Sequence, residues 1–95
     1  EGLSGQHLLT LFAWSENDFL QHTEGGPIRR IGYERWLRNI AVALGNARRD
    51  ASSDDKMRID TALQTRASHA SETVREHVAW ALAEAPDARA QYPAM

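Results

Sequence analysis

The sequence predicts an all-α domain of about five helices, arranged either as helix pairs in a short α-solenoid or as a small irregular bundle. Two observations lead to this prediction. No run of roughly four to eight residues alternates polar with β-branched apolar side chains, as a half-buried strand would. Apolar residues, mostly alanine and leucine, instead recur at intervals of three and four, which places them on one face of a helix.

Length and composition indicate one small globular domain. The chain has 95 residues, of which 42% are hydrophobic and 25% are charged, and these fractions are ordinary for a folded soluble domain. No window approaches the roughly 18 consecutive apolar residues of a membrane span, and no signal peptide is evident. Because cysteine is absent, disulfides, thiol catalysis and cysteine-ligated metal centres are excluded within these residues. The chain begins with Glu1 rather than Met, and we expect it to be a fragment of a longer protein.

The first two helices are predicted to be short and to cover residues 5–13 and 15–22. The apolar face of the first consists of Leu8, Leu9, Leu11 and Phe12. Ser15 is a typical N-cap of the second helix, and Asp18 lies in its first turn, where the helix dipole favours an acid. Residues 23–27 contain two glycines and a proline, which predict a break.

The third helix is predicted to be the longest, from Tyr33 to Leu44. Its apolar stripe consists of Tyr33, Trp36, Leu37, Ile40, Ala41 and Leu44. Gly45 and Asn46 predict the end of this helix, because glycine readily adopts the left-handed conformation that follows a helix terminus. We interpret the two aromatic residues of the stripe as core rather than as a ligand site, since a small domain gains much stability from burying them.

Two further helices are predicted after a polar loop over residues 46–53. Ser52 is the expected cap of the fourth helix, which continues to about residue 67, and Ser71 is the expected cap of the fifth, over about residues 72–84. The inward-facing residues are Ile59, Ala62, Leu63 and Ala67 in the fourth helix and Val74, His77, Val78, Ala81 and Leu82 in the fifth.

The domain organisation follows from these elements. Pro86 prevents the fifth helix from continuing, so we expect a helical domain over residues 1–86 and a flexible tail over residues 87–95. The fourth and fifth helices form one expected pair, and the third helix forms another with its predecessor. Because one helix pair cannot bury its own apolar face, both pairs are needed for stability.

Basic residues are concentrated in one segment. Residues 26–49 hold six arginines and one acid, whereas residues 1–25 hold four acids and no base. The planar guanidinium group matches phosphate oxygens and stacks on bases, so this segment is a candidate nucleic-acid-binding site. A solvated helical face with local salt bridges is the alternative interpretation. The candidate RNA-binding residues are Arg29, Arg30, Arg35, Arg38, Arg48 and Arg49.

The sequence contains no convincing catalytic or metal-binding pattern. His69 and His77 are eight positions apart, which is about 12 Å along a helix and too far to share a metal ion. His7 and His22 lack a carboxylate pair at ligand spacing, and the glycines of residues 25–27 are too few for a phosphate-binding loop. We therefore expect no catalytic residue and no metal site in this chain.

Three segments carry a resemblance to a known family. Residues 28–46 read IRRIGYERWLRNIAVALGN, and this string closely resembles the segment that follows the ferredoxin-like region of epoxyqueuosine reductases. Residues 8–16, LLTLFAWSE, look like the lead-in of the same family. Residues 74–82, VREHVAWAL, are similar to the second helix of its C-terminal HEAT-like repeat. The resemblance covers residues 7–84, and its most specific part is the run RNIAVALGN.

The resemblance implies that the chain is the C-terminal HEAT-like domain of an oxidoreductase that reduces epoxyqueuosine to queuosine in tRNA. The parent protein is implied to use cobalamin and 4Fe–4S clusters, which are bound upstream, so this fragment itself is expected to be neither an enzyme nor a cofactor-binding domain. The implied partners are the tRNA anticodon stem-loop and the upstream ferredoxin-like domain. We expect a cytoplasmic monomer that does not contact a membrane.

Two functions are consistent with these residues. In the first, the arginines neutralise tRNA phosphates and fix the position of the tRNA without reading its sequence. Arg38 and Asn39 have a competing use, because they could tie the third helix to neighbouring loops or to the rest of the parent. In the second, the chain is a HEAT-like protein-interaction or interdomain packing module with an apolar groove, for which Trp14 and Trp80 are candidates. Packing between repeats is the other interpretation of both tryptophans.

Overall fold

The structure, a computed structural model, describes residues 5–83 of the chain. Over these residues it contains five α-helices, one 3-10 helix and no strand, so the all-α prediction is confirmed. The 3-10 helix spans Pro27–Ile31, between the second and third α-helices. The predicted tail, residues 87–95, lies outside the described residues. The α-helices are α1 (Gly5–Phe12), α2 (Glu16–His22), α3 (Tyr33–Arg49), α4 (Ser53–Gln64) and α5 (Glu72–Leu82).

Serine caps begin three of the helices, as the sequence predicts. The Ser15 hydroxyl accepts a hydrogen bond from the Asp18 backbone at 3.1 Å, and the Asp18 carboxylate accepts one from the Ser15 backbone at 3.1 Å. This reciprocal pair is a capping box, which satisfies two amide groups that a helix start leaves without a partner. The Ser52 and Ser71 hydroxyls cap α4 and α5 by accepting hydrogen bonds from the amides three residues later, those of Asp55 and Val74.

The predicted end of α3 is wrong, because the helix continues through Gly45 to Arg49. Gly45 is buried against α5, and a Cβ atom at this position would lie 2.9 Å from the Trp80 ring and 3.0 Å from the Ala81 Cβ. Glycine is therefore required here for the close approach of two helices rather than for a helix end. The predicted loop before α4 shrinks accordingly to residues 50–52.

Two further boundaries differ from the prediction. The 3-10 helix begins at the end of the predicted break of residues 23–27 and covers residues to which the sequence assigns no element; Gly25, two residues before it, and Gly32, directly after it, have φ angles of 78° and 92°. Pro27, with its fixed φ, occupies the first position of this short helix. Helix α4 ends at Gln64, so Ala67, predicted to face inward, lies in the following turn and is exposed.

Helix α3 is the centre of the packing and contacts each of the other four α-helices. Its most extensive contact is with α5, which is not its neighbour in sequence. Of the two expected arrangements, this one fits an irregular bundle around a central helix better than sequential helix pairs. Among residues 5–83, no helix has the length and apolar character needed to cross a bilayer. The buried apolar core consists of Leu8, Phe12, Phe19, Leu37, Ile40, Ala41, Leu44, Ile59, Leu63, Val74, Val78 and Ala81.

Two long side chains fix the connection between α1 and α2. The Arg66 guanidinium group donates hydrogen bonds to the backbone carbonyls of Phe12 and Trp14, both at 2.9 Å. The Tyr33 hydroxyl donates to the same Trp14 carbonyl at 2.5 Å. Because both side chains donate to the Trp14 carbonyl, the first turn of α3 and the turn after α4 meet at the same point of the chain.

Candidate nucleic-acid interface

The 3-10 helix displays two of the candidate arginines. Arg29 and Arg30 are both exposed on it. They are flanked by Ile28 and Ile31, whose exposed fractions of 43% and 37% are high for large apolar residues. The element therefore presents two charged and two apolar side chains to solvent.

Three more candidates share one side of α3. At about 100° of rotation per residue, Arg35, Arg38 and Arg49 fall within an arc of about 60°. Arg35 is exposed, whereas Arg38 and Arg49 are half-buried. Arg35 and Arg38 are adjacent on the helix surface and line a common hollow of about 140 Å³. Arg49 lies about 21 Å farther along the helix axis from Arg35.

Arg48 is placed differently from the other five candidates. It is only 8% exposed, and its guanidinium group forms a two-point ion pair with the Asp60 carboxylate of α4. Two parallel hydrogen bonds of this kind are among the strongest that side chains form. This ion pair joins α3 to α4 and occupies the side of the guanidinium group that a phosphate would otherwise bind at two points.

The half-buried arginines make hydrogen bonds to side-chain amides on their own helix. Arg38 donates to the Asn39 Oδ1 at 3.0 Å, and Arg49 donates to the Asn46 Oδ1 at 3.1 Å. These bonds hold both guanidinium groups close to the surface of α3. Arg38 and Asn39, which the sequence suggests could tie α3 to a neighbouring loop or to the rest of the parent, are hydrogen-bonded to each other on α3.

A polar cleft of about 650 Å³ lies between the start of α3 and the turn between α4 and α5, residues 65–71. His69 of this turn lines the cleft, and its imidazole ring lies 6.4 Å from the Tyr33 ring. Glu34 and Arg35 line both the cleft and the neighbouring hollow, so the two adjoin each other along α3. The sequence, in which His69 is a candidate only for metal binding, does not predict this cleft, because the two segments that form it are about 35 residues apart in the chain.

Trp14 belongs to a stack of three aromatic rings. Trp14 stacks between His22, at a ring distance of 4.4 Å, and Trp36, at 5.4 Å. Trp80 lies against Gly45 at the contact between α3 and α5. These contacts support the interpretation of Trp14 and Trp80 as packing residues rather than as the walls of an open groove.

A separate apolar groove of about 680 Å³ lies between α1 and α4. It is lined by Leu9, Ala62 and Met57, and Met57 is 66% exposed. Asp54, Arg58 and Thr61 line it as well. This groove has the apolar character that the protein-interaction alternative requires, although it does not involve the two tryptophans.

Two pKa shifts follow from the local structure. Hydrogen bonds from the backbone and then the side chain of Ser15 hold the pKa of the Asp18 carboxyl below its ordinary value. Partial burial raises the pKa of the Tyr33 phenol, against an opposing effect of the Arg66 charge. The Tyr33 hydroxyl is therefore protonated near neutral pH, as its hydrogen bond to the Trp14 carbonyl requires.

No cluster of three metal-ligating side chains occurs within residues 5–83. His77 is buried, and its Nδ1 donates to the Thr73 carbonyl at 2.7 Å, so it is held as a structural residue of α5. Because the sequence has no cysteine, it offers no thiolate ligand for an iron–sulfur cluster. The residues of this chain therefore do not fit such a cluster.

Comparison with known proteins shows that most of this chain is similar to one part of several longer proteins. The chain is 66% identical over 85 residues to an epoxyqueuosine reductase of Alicycliphilus denitrificans, which covers 86% of the chain and 23% of that protein. It is 57% identical over 84 residues to the epoxyqueuosine reductase of Shewanella oneidensis, and 52% identical over 82 residues to that of Escherichia coli. Each of these two matches covers 86% of the chain and 20% of the relative. No protein-family model matches the chain, and no solved structure matches it significantly.

These similarities confirm the resemblance found in the sequence. The chain is homologous to a segment of epoxyqueuosine reductases, and it spans about a fifth of the length of the curated relatives it matches.

Proposed function

We propose that this chain is a tRNA-docking segment of an epoxyqueuosine reductase. In this proposal the parent protein reduces epoxyqueuosine in tRNA, and the arginines of the 3-10 helix and of α3 hold the anticodon stem-loop by its phosphates. The names of the homologues support the activity of the parent. The position of the arginines supports the role of this chain within it.

The observation that carries the proposal is a surface of four arginines at one end of α3. Two lie on the exposed 3-10 helix, and two lie on the adjoining turns of α3, where they line one hollow. Cations placed side by side attract a polyanion and release its counterions when it binds. Such contacts fix the position of an RNA without reading its sequence. We call this set the arginine surface, and it consists of Arg29, Arg30, Arg35 and Arg38.

Arg48 and Arg49, the other two candidate RNA-binding residues, are not part of the arginine surface. Arg48 is left out, because its side chain is buried and forms an ion pair with Asp60. Arg49 lies on the same side of α3 as Arg38 but near the other end of the helix, where it is available only to an RNA that extends along α3.

The chemistry of the parent is assigned to residues outside this chain. Cobalamin and 4Fe–4S clusters, which the family resemblance implies, would supply reducing equivalents in the parent, and this sequence has no cysteine to hold such a cluster. The chain contributes binding and orientation of the RNA. We further propose that the parent is a cytoplasmic monomer and that its ferredoxin-like domain is the neighbour of this chain.

Fluorescence anisotropy with a labelled anticodon stem-loop at several salt concentrations tests the proposal. If the four arginines each contact a phosphate, the logarithm of the association constant should fall with the logarithm of salt at a slope of about −3. Changing Arg35 and Arg38 to Ala should reduce that slope by about 1.5. The matched control is Arg58→Ala, which removes an exposed arginine of α4 paired with Asp55, and it should leave the slope unchanged. Equal binding by the wild type and by a variant lacking all four arginines would contradict the proposal.

The groove between α1 and α4 favours a second candidate function, interdomain packing. The exposed thioether of Met57 and the neighbouring Leu9 offer an apolar surface to the rest of the parent protein. Met57→Ser in the full-length parent tests this role, because it should increase susceptibility to proteolysis between domains while leaving RNA affinity of the isolated chain unchanged. Unchanged proteolysis would contradict the packing function.

A further inference from the structure

We infer that the polar cleft between the start of α3 and the α4–α5 turn accepts one unpaired RNA base. The inference rests on the proposed function, since the arginine surface is what brings RNA to this side of the molecule. The cleft volume of about 650 Å³ lies within the range of about 300–1,000 Å³ that is usual for small-ligand pockets. The residues of this base cleft that carry the argument are Glu16, Ile31, Tyr33, Glu34, Arg35 and His69.

Tyr33 provides a fixed aromatic wall. Its hydroxyl is engaged with the Trp14 carbonyl at 2.5 Å, and its ring packs against the Phe19 ring at a distance of 5.8 Å. The side chain is thus held from two directions while its ring lines the cleft. Single-stranded RNA is commonly bound by stacking unpaired bases on aromatic side chains of this kind.

His69 provides an oriented hydrogen-bond donor. The Ser71 backbone N–H donates to the His69 Nδ1 at 3.0 Å, so Nδ1 is the unprotonated nitrogen of the neutral ring and Nε2 carries the hydrogen. The turn itself is held by Arg75, whose guanidinium group donates to the carbonyls of His69 at 2.6 Å and Ala70 at 3.0 Å. The donor is therefore in position before a ligand arrives, which lowers the entropic cost of binding.

The charges of the cleft favour a base over a phosphate. Glu16 and Glu34 both line it, and their carboxylates would repel a phosphate group. Carboxylates are instead suitable acceptors for the amino and imino hydrogens of a base edge, while Arg35 can donate to base oxygen and nitrogen atoms. The adjoining hollow is lined by Arg35 and Arg38 together with Glu34 and Thr73, so its two arginines outnumber its one acid, and the phosphate of the same nucleotide fits there better than in the cleft.

A base can enter this cleft only if it is unpaired. The edges and faces of a base within a duplex are occupied by pairing and stacking, so the base cleft discriminates a loop from a stem. The arginine surface makes no such distinction, because phosphates are present in both. The two surfaces therefore predict separable effects on the same RNA.

Two substitutions of His69 test the roles of its two ring nitrogens independently. In His69→Asn the side-chain oxygen can still accept from the Ser71 N–H, but the donor into the cleft is lost. In His69→Gln the amide nitrogen occupies the region of Nε2 and can still donate. We expect the Asn variant to bind a labelled RNA stem-loop about tenfold more weakly, the effect of one lost hydrogen bond, and the Gln variant to bind within about threefold of wild type.

The experiment compares the stem-loop with a blunt duplex of the same stem, using fluorescence anisotropy and the 95-residue chain. His69→Asn should leave affinity for the duplex unchanged, whereas Arg29→Ala combined with Arg30→Ala should weaken binding to both RNAs. Circular dichroism verifies that each variant melts within about 3 °C of wild type. A third arm titrates guanosine 5′-monophosphate and follows the His69 ring signals by NMR.

Each outcome decides one question. If the arginine variant loses affinity but His69→Asn binds the loop as wild type does, the base cleft is refuted and the proposed function stands. If the arginine variant has no effect while His69→Asn still loses loop binding, the docking proposal fails and the base cleft is retained. Binding of the free nucleotide as tightly as the loop would show a mononucleotide site and overturn the RNA-loop assignment.

Discussion

Gly45 of α3 and Trp80 of α5 lie so close that any side chain at position 45 must displace the indole ring. A Cβ atom there would be 2.9 Å from the Trp80 Cζ3 and 3.0 Å from the Ala81 Cβ. This contact lies at the crossing of the two most extensively packed helices. Glycine weakens a helix more than any residue except proline. The fold nevertheless requires glycine at this position, because the two helices pack so closely here.

The Gly45→Ala variant tests this requirement directly. Helix propensity alone would favour alanine by about 1 kcal/mol, but overpacking of a close helix contact costs about 1–3 kcal/mol. We expect net destabilisation and a melting temperature lower by several degrees in thermal circular dichroism. Gly26→Ala is the matched control, because a Cβ there meets only the Thr23 carbonyl at 3.5 Å, an ordinary contact. An equal or higher melting temperature for Gly45→Ala would contradict the close approach.

The ion pair between Arg48 and Asp60 should contribute more to stability than the exposed pair between Arg58 and Asp55. The Arg48 side chain is 10% exposed, whereas that of Arg58 is 62% exposed. Replacing Arg48 by Met leaves a partly buried carboxylate without its partner, and we expect a loss of about 2 kcal/mol, reduced from the fully buried case by the partial exposure of Asp60. Arg58→Met should change the free energy of unfolding by less than about 0.5 kcal/mol.

Urea unfolding of the two variants measures this difference. Affinity for the anticodon stem-loop, measured on the same samples, separates stability from binding. If Arg48→Met binds RNA more weakly but is as stable as wild type, Arg48 contacts RNA and its structural role is contradicted.

The misplaced end of α3 explains why Arg48 was counted among the RNA-binding candidates. Once the helix continues past Gly45, Arg48 follows Leu44 by four positions and Ala41 by seven, so it falls on the buried stripe. The helical period that predicts the core therefore also predicts the burial of Arg48. What the sequence lacks is the tertiary contact that makes Gly45 an interior residue, since the position of Trp80 cannot be read from local propensity.

The residues next to each helix start predict that start correctly, whereas no sequence pattern predicts the clefts. Ser15 and Ser71 cap their helices through bonds to amides three residues away, so the information is contained in the neighbouring sequence. The base cleft forms where Tyr33 meets the turn that contains His69, and their juxtaposition depends on how Arg66 holds the chain after α1. Such a site follows from packing, which a pattern of residue types does not specify.

Asp18 should make the start of α2 sensitive to acid. Because hydrogen bonds from Ser15 lower the pKa of Asp18 in the folded chain, its stabilising effect is present above the unfolded pKa of about 3.9 and is lost as the pH falls through the lower folded pKa. We therefore expect the melting temperature of Asp18→Asn to lie below that of wild type at neutral pH. The difference should shrink as the pH falls through the lowered folded pKa and disappear below it, where Asp18 is protonated in both states.

Carbon-detected NMR of the Asp18 carboxyl group measures the shift itself. Ser15→Ala removes the hydroxyl partner and should move the titration midpoint upward, towards the ordinary value. Ser53→Ala is the matched control, because it changes an exposed serine next to a different cap. A midpoint that does not respond to Ser15→Ala would contradict the capping box as the cause.

Tyr33 should respond to alkali in the opposite sense. Partial burial raises the pKa of its phenol in the folded chain, so its hydrogen bond to Trp14 is present below the unfolded pKa of about 10 and is lost as the pH rises through the higher folded value. The sequence contains two tyrosines, so the difference in tyrosinate absorbance between wild type and Tyr33→Phe isolates this residue. Its midpoint should lie above that of free tyrosine, and Arg66→Met should raise it further, because the Arg66 charge favours the ionised phenol. A downward shift in Arg66→Met would show that Arg66 acts mainly by holding Tyr33 in its buried position rather than through its charge.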